Sequence, residues 1–207
     1  MKNEIKVVDK NKLRWDKWYH GLCEKVSENS QCFSRKVGSI LVVDKAIFSQ
    51  GYNGPPRGIR TCDTRWEVDE NLRKVYLDKF KVPPAFDTFI GKCPRYVLGF
   101  KSGQGLEWCV AGHGERNSII NASREGFKVK GSTMYMNCGI PCTPCMVEIL
   151  NAGISEIICT NAENYDISSV YLLKESKIKF RIYSHLCKHE HIIGSYCKNC
   201  DSLLEGV

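Results

Sequence analysis

A histidine and a glutamate one residue apart, His113-Gly114-Glu115, are followed along the chain by Pro141-Cys142-Thr143-Pro144-Cys145. One imidazole and two thiolates suit Zn²⁺ and leave its fourth tetrahedral position open to water. Such a metal lowers the pKa of the water from near 16 toward roughly 7, giving a hydroxide nucleophile at neutral pH. Glu115 is not needed as a ligand. Its carboxylate can take the water's proton, hand it to a ring nitrogen and then to a departing ammonia. The chemistry implied is metal-assisted removal of an amino group. The competing reading is a structural zinc knuckle, but structural sites close with four protein ligands and give the H-x-E half no purpose.

The elements that must position these residues follow from periodicity. Trp15, Trp18, Tyr19, Leu22 and Val26 fall at helical spacing, an amphipathic helix over about residues 12–29 with its aromatics in the core. Val37–Val43 and Ala46–Tyr52 read as a β-hairpin turning at Asp44-Lys45. Residues 54–110 hold Gly54-Pro55-Pro56, Pro83-Pro84 and little sustained period, an irregular insertion with one helix around Glu67–Phe80. Regular structure resumes with a helix over Glu115–Arg124, a strand over Ser132–Met136 and a helix over Cys142–Asn151. Pro141 suits the first turn of that last helix and Gly153 its C-terminal cap. Strands over Ile154–Cys159 and Lys177–Ile182 flank a short helix at Ser168–Glu175. A hairpin followed by alternating α and β implies a mixed sheet covered by helices on both faces. His113 and the cysteine pair then each open a helix, where free N–H groups and the dipole stabilise thiolate and hydroxide.

With 207 residues and 43% hydrophobic content, the chain is one substantial domain with room for an insertion or appendage. Its formal charge of +7 is spread along the chain; it suits a phosphorylated ligand and falls short of a strong nucleic-acid footprint. No apolar run approaches the roughly 20 residues that span a bilayer, and no secretory pattern opens the chain. The twelve cysteines therefore read as metal ligands and buried thiols rather than disulfides, and the expected compartment is the cytoplasm.

H-x-E followed by P-C-x-x-C is the signature of the zinc nucleobase deaminases. From Ser30 to about Ile182 the chain resembles the deoxycytidylate (dCMP) deaminase family, phage members included. Besides the zinc motifs, the resemblance rests on Ser34-Arg35-Lys36-Val37-Gly38, on Gly51-Tyr52-Asn53-Gly54 with Pro56 and Gly58, and on Glu115-Arg116-Asn117-Ser118-Ile119 followed by Ala122-Ser123-Arg124. It implies a three-layer α/β/α cytidine-deaminase-like fold with a mixed five-stranded sheet, and a hydrolase converting dCMP to dUMP and ammonia, the precursor supply for thymidylate synthesis. It also implies a homo-oligomer, commonly a hexamer, controlled by dCTP and dTTP. His113, Cys142 and Cys145 match the zinc ligands and Glu115 the proton shuttle. Asn53, Arg124 and Tyr165 match residues near the nucleotide; read from type alone, they are equally a left-handed turn residue, a solvated helix-end cation and ordinary core. One departure lies inside the motif, where Gly114 stands in place of the family's usual alanine.

Two further cysteine groups remain. Cys32 and Cys62 match positions that help hold a second, structural zinc in phage members. Cys93 and Cys109 of the insertion would complete a Cys₄ site, against four unrelated buried thiols. In the tail (184–207), beyond the reach of the resemblance, Cys187, His189, His191 and Cys197-Lys198-Asn199-Cys200 resemble a small zinc ribbon; spacing does not choose between His189 and His191. The alternative functions are a deaminase acting on bases in DNA or RNA, which needs a basic channel with stacking aromatics, and a non-catalytic zinc module. Lys177, Lys179, Phe180, Arg181 and Tyr183 could serve such a channel, yet they equally describe an edge strand with one solvated face.

Overall fold

In the computed structural model, residues 6–83, 85–101, 103–163 and 166–205 are described. Strand β1 (Lys6–Val7) leads into helix α1 (Lys10–Ser27), whose start is capped by the Asp9 carboxylate accepting the Lys12 N–H at 2.9 Å. Strands β2 (Gly38–Val43) and β3 (Ala46–Tyr52) form the expected hairpin. Asp44 and Lys45 both take left-handed φ values, 48° and 67°, as a two-residue hairpin turn requires. After the insertion come α4 (Gly114–Arg124), β4 (Thr133–Met136), α5 (Thr143–Asn151), β5 (Glu156–Cys159), α6 (Ile167–Glu175) and β6 (Lys179–Ile182). The helices α2 (Glu70–Phe80) and α3 (Pro94–Val97) belong to the insertion.

The main sheet has five strands in the order β3-β2-β4-β5-β6; the pairs among β3, β2 and β4 are antiparallel, and those among β4, β5 and β6 parallel. Strand alternation sends Leu41, Met134, Met136 and Ile157 to one face, where they meet Ala122 of α4 and Ile149 of α5. Ile40, Val42, Tyr135 and Ile158 point to the other, against Tyr19, Cys23 and Val26 of α1. Three layers result, with α1 on one side and α4, α5 and α6 on the other. Two glycines set the layer spacing. A Cβ on Gly38 would stand 2.1 Å from the Cys23 carbonyl oxygen of α1, and one on Gly51 would stand 2.2 Å from the Ser118 amide of α4.

The structure corrects three local expectations. Trp18 is not core: it is 57% exposed, while the buried neighbour on α1 is Asp16, whose carboxylate takes two hydrogen bonds from Arg181 of β6 at 2.8 and 2.9 Å. Arg181 is therefore no part of a solvated strand face. Pro141 lies before α5 rather than in its first turn; Pro144 occupies that turn. The insertion is less irregular than its composition suggests, because Trp66, Leu72, Phe89 and Leu98 make a core of their own beneath α2.

The tail forms β7 (Ile192–Ile193), β8 (Tyr196–Cys197) and β9 (Ser202–Glu205), which with β1 make a four-stranded antiparallel sheet ordered β1-β9-β8-β7. No helix among the described residues is long and apolar enough to cross a membrane.

Candidate active site and metal centre

Two helix starts meet at the end of the sheet. His113 is the N-cap of α4 and Cys142 the N-cap of α5, both in extended backbone, with Cys145 in the first turn of α5. His113 Nδ1 lies 3.3 Å from Cys142 Sγ and 3.2 Å from Cys145 Sγ. No fourth His, Cys, Asp or Glu among the described residues joins this group at ligand distance. The donor chemistry fits zinc: one imidazole nitrogen and two sulfurs converge, and three protein ligands leave one tetrahedral position for a water.

The local electrostatics suit a dication. The Cys142 thiol is held down to about 4, first by a hydrogen bond from Cys145 and then by one from His113. Cys145 is pushed the opposite way by the same bond, and His113 is raised by its hydrogen bond to Cys142. Glu115, one residue into α4, is 4% exposed, and burial raises its carboxyl above the usual range while the nearby His113 pulls it back down. A carboxyl so placed holds a proton more readily than a solvated one, as a group that must both accept and release it requires.

The supports of this site are polar residues whose role periodicity does not reveal. Asn117 and Asn121, one turn apart on α4, donate their side-chain amides to the Tyr52 and Gln50 carbonyls at 2.8 Å each, stitching α4 to β3. Backbone bonds between Gly54 and Gly112 (3.1 and 2.8 Å) fix the loop after β3 directly beside His113. Arg116 of α4 pairs with Glu148 of α5 at 2.6 Å, tying together the two helices that carry the ligands. The N-cap of α6, Asp166, accepts the Thr143 amide at 2.6 Å, and Ser169 donates to the Pro141 carbonyl at 2.5 Å, so α6 clasps the cysteine turn. The spacing of Asp166 before Ser169 is a capping signal; the cross-helix partners carry none. Gly114 also finds its reason here: a Cβ would stand 2.9 Å from the Val37 carbonyl oxygen. An alanine at this position would have to push away the chain at Val37, just before β2.

The remaining expected residues are distributed differently. Asn53 is buried, and its amide fastens the loop: Oδ1 accepts from the Val37 N–H at 2.8 Å and Nδ2 donates to the Arg35 carbonyl at 2.7 Å. Arg124 closes α4 about 15 Å along the helix from its first residue and pairs with Glu125 at 3.0 Å, away from the zinc ligands. Tyr165 lies outside the described residues. The thiols of Cys93, Cys109 and Cys32 all act on Cys62, which is raised to about 11 by burial first and then by those three neighbours. The four do not all come within ligand distance of one another. Cys187, His189, Cys197 and Cys200 do, and His191 is exposed outside that group.

The sequence profile of the cytidine and deoxycytidylate deaminase zinc-binding region matches residues 13–161, more than half of the chain. The chain belongs to this family. It is 32% identical over 147 residues to the deoxycytidylate deaminase of Enterobacteria phage T2, covering 68% of this chain and 76% of that protein. It is also 27% identical over 180 residues to the deoxycytidylate deaminase of Schizosaccharomyces pombe, covering 86% of this chain and 47% of the relative, so it spans about half the length of that protein. The fold is that of the crystal structure of dCMP deaminase from cyanophage S-TIM5 in complex with dCMP and dUMP, with a TM-score of 0.55 and 20% identity over 82% of this chain and 96% of that one. The matched profile ends before β6 and the tail ribbon.

Proposed function

We propose that this chain is a zinc-dependent hydrolase that converts dCMP to dUMP and ammonia. The observation that carries the reading is the three-ligand cluster at two helix N-termini with a buried glutamate one residue beyond the histidine. The chemistry zinc supplies when bound is acidification of a water from a pKa near 16 to roughly 7. His113, Cys142 and Cys145 hold the metal, and the α4–α5 ion pair keeps the two helix starts in register. Glu115 accepts a proton from the water and returns it to the pyrimidine ring nitrogen. It then carries the second proton to the amino group that leaves as ammonia. The loop of Asn53, clamped next to His113, borders the base; Arg124 and Tyr165 enter the substrate site by resemblance alone.

The same reading includes, by resemblance, a second structural zinc to which Cys32 and Cys62 would contribute. It also includes a homo-oligomer, a hexamer in the family, with dCTP and dTTP as effectors. All twelve cysteines are free, which suits the reducing cytoplasm.

The test is product formation from dCMP, CMP, deoxycytidine and a cytosine-bearing single-stranded oligonucleotide, by the zinc-loaded protein and its Glu115→Gln variant. Conversion of dCMP is expected, reduced about 10²- to 10⁴-fold in the variant while its zinc content is unchanged. Turnover surviving in Glu115→Gln would overturn the proton-shuttle assignment. Conversion of the oligonucleotide in place of dCMP would move the substrate to nucleic acid.

A further inference from the structure

The tail cluster has a geometry that thiols packed at random do not produce. Tetrahedral zinc with bonds of about 2.3 Å to sulfur and about 2.0–2.1 Å to nitrogen separates two sulfurs by about 3.8 Å and a sulfur from a nitrogen by about 3.5 Å. Cys187 Sγ and Cys197 Sγ are 3.7 Å apart, and Cys200 Sγ is 3.6 Å from His189 Nδ1. Four ligand atoms converge within 4.8 Å of one another, and no Glu or Asp among the described residues joins them. The two turns that present them are shaped around sulfur. The His189 amide donates to Cys187 Sγ at 3.4 Å, and the amides of Asn199 and Cys200 turn toward the Cys197 sulfur. His189 takes a left-handed φ of 53°, a conformation unfavourable for a residue with a Cβ, which aims its ring at the sulfurs.

The ribbon has little else to hold it. Its buried hydrophobic members are Cys197, Cys200 and Leu204, with Val7, Cys187 and Ile192 packed around them. A core of that size is too small to order a segment of this length without a cross-link or a metal. Yet the ribbon is fastened at three places to the rest of the molecule. β9 pairs with β1 at Lys6–Glu205 and Val7–Leu204; Lys12 at the start of α1 reaches the carbonyl and carboxylate of Asp201; and the Ile182 amide, at the end of β6, donates to the Asn199 carbonyl at 2.7 Å.

We infer that Cys187, His189, Cys197 and Cys200 form a closed, structural zinc site that latches the N-terminal strand and the open edge of the main sheet to the C-terminal ribbon. Four protein ligands leave no position for water, so the site has no catalytic role. Its function is to order the ribbon and, through it, β1, the start of α1 and the end of β6. The inference is independent of the deaminase reading.

The experiment compares zinc per chain in the purified 207-residue protein, in Cys197→Ser and in His189→Cys, together with the spectra of their cobalt-substituted forms. Cys197→Ser should hold one equivalent of zinc less than the parent. His189→Cys, which keeps four ligands, should retain that equivalent and shift the cobalt absorption toward an all-sulfur pattern. Zinc content unchanged in Cys197→Ser, or a cobalt spectrum unmoved in His189→Cys, would overturn the assignment. Should Cys197→Ser fail to fold, the parent itself decides. Chelation should expose Cys187, Cys197 and Cys200 to alkylation and speed amide exchange in residues 6–8 and 199–205, with α4 still protected. Labelling and exchange that do not respond to chelation, or recovery of Cys187 and Cys197 as a disulfide-linked peptide, would remove the zinc site.

Discussion

His113, Cys142 and Cys145 come from two helix starts brought together by the main sheet, whereas Cys187, His189, Cys197 and Cys200 come from two turns of a small ribbon without a helix. The first group has three ligands, a buried carboxylate beside it and a dense surround of α4, α5, α6 and β3. The second has four ligands, only exposed carboxylates next to them in the chain (Glu190 and Asp201) and hardly any core. The lesson is the direction of support. In the first the fold positions the ligands and keeps one coordination place free for chemistry; in the second the ligands position the fold. Removing a ligand should therefore damage different properties at the two places.

The largest expected effect is on activity. Cys145→Ser should lose one zinc equivalent and all measurable deamination, while its melting transition shifts modestly because the helices around it remain packed. Cys200→Ser should lose one equivalent as well, keep the active-site zinc, and lose order first in the tail. Parallel metal analysis, turnover and amide exchange separate the two patterns. Equal losses of activity and tail order in both variants would break the contrast.

Next in size is the seam where the two regions meet. Asp16 and Arg181 are buried between α1 and β6, and Asp16 also accepts the amide of Ser184, the first residue of the tail, at 2.7 Å. Breaking a buried pair by removing one partner commonly costs about 3–5 kcal/mol. Arg181 retains Glu156 at 3.2 Å, so Asp16→Ala should fall near the low end, about 3 kcal/mol in denaturant unfolding. Asp16→Leu combined with Arg181→Met should recover most of that loss, since an apolar pair leaves no fully buried charge unpaired and Glu156, which loses Arg181, is part-exposed to water. A double variant no better than the single one would show that the ion pair itself, and not the avoidance of an orphaned charge, holds the seam.

A smaller effect is expected at the active site's departure from its family. Gly114→Ala sets a methyl 2.9 Å from the Val37 carbonyl oxygen. Overpacking typically costs about 1–3 kcal/mol, against up to about 1 kcal/mol gained in helix propensity, so a net loss of about 1 kcal/mol is the expected outcome in unfolding measurements. A neutral or stabilised variant would mean that the chain at Val37 yields without strain.

What was legible in the sequence follows the same division. The catalytic ligands, both helix starts and the hairpin at Asp44-Lys45 are written locally, in motif spacing and period. So were the tail ligands, as a C-x-x-C after a C-x-H, although the choice of His189 over His191 needed the turn geometry. The partnerships across the chain were not legible. Two-residue strands such as β1 have no period to read, and their pairing with β9 joins opposite ends of the sequence. Arg181 sits in an alternating Lys-Ile-Lys-Phe-Arg-Ile run that suggests a wet face; only the arrival of Asp16 from α1 buries it. Trp18 has helical spacing with the core aromatics of α1, but it lies on the exposed side of the stripe. Asn117 and Asn121 look like neutral helix residues until the ends of β3 supply their carbonyl partners.

The smallest expected effect concerns pH at the same seam. His20 of α1 and His185 at the head of the tail face each other with ring nitrogens 3.3 Å apart, and both have pKa values lowered, chiefly by burial. For His185 the charge of His20 adds to the effect, while Glu24 opposes it at His20. The unfolded chain accepts protons near the ordinary value of 6.5, before the folded pair does. Their contribution is therefore fully present above about pH 6.5 and is lost as pH falls through the lower folded values. Melting temperature measured from about pH 7.5 down to about pH 5.5 should decline more steeply in the parent than in His20→Gln/His185→Gln. Both side chains are only part-buried, so solvent keeps the difference modest. Identical slopes would mean that the seam is held by Asp16 and Arg181 alone and that the histidine pair merely fills space between α1 and the tail.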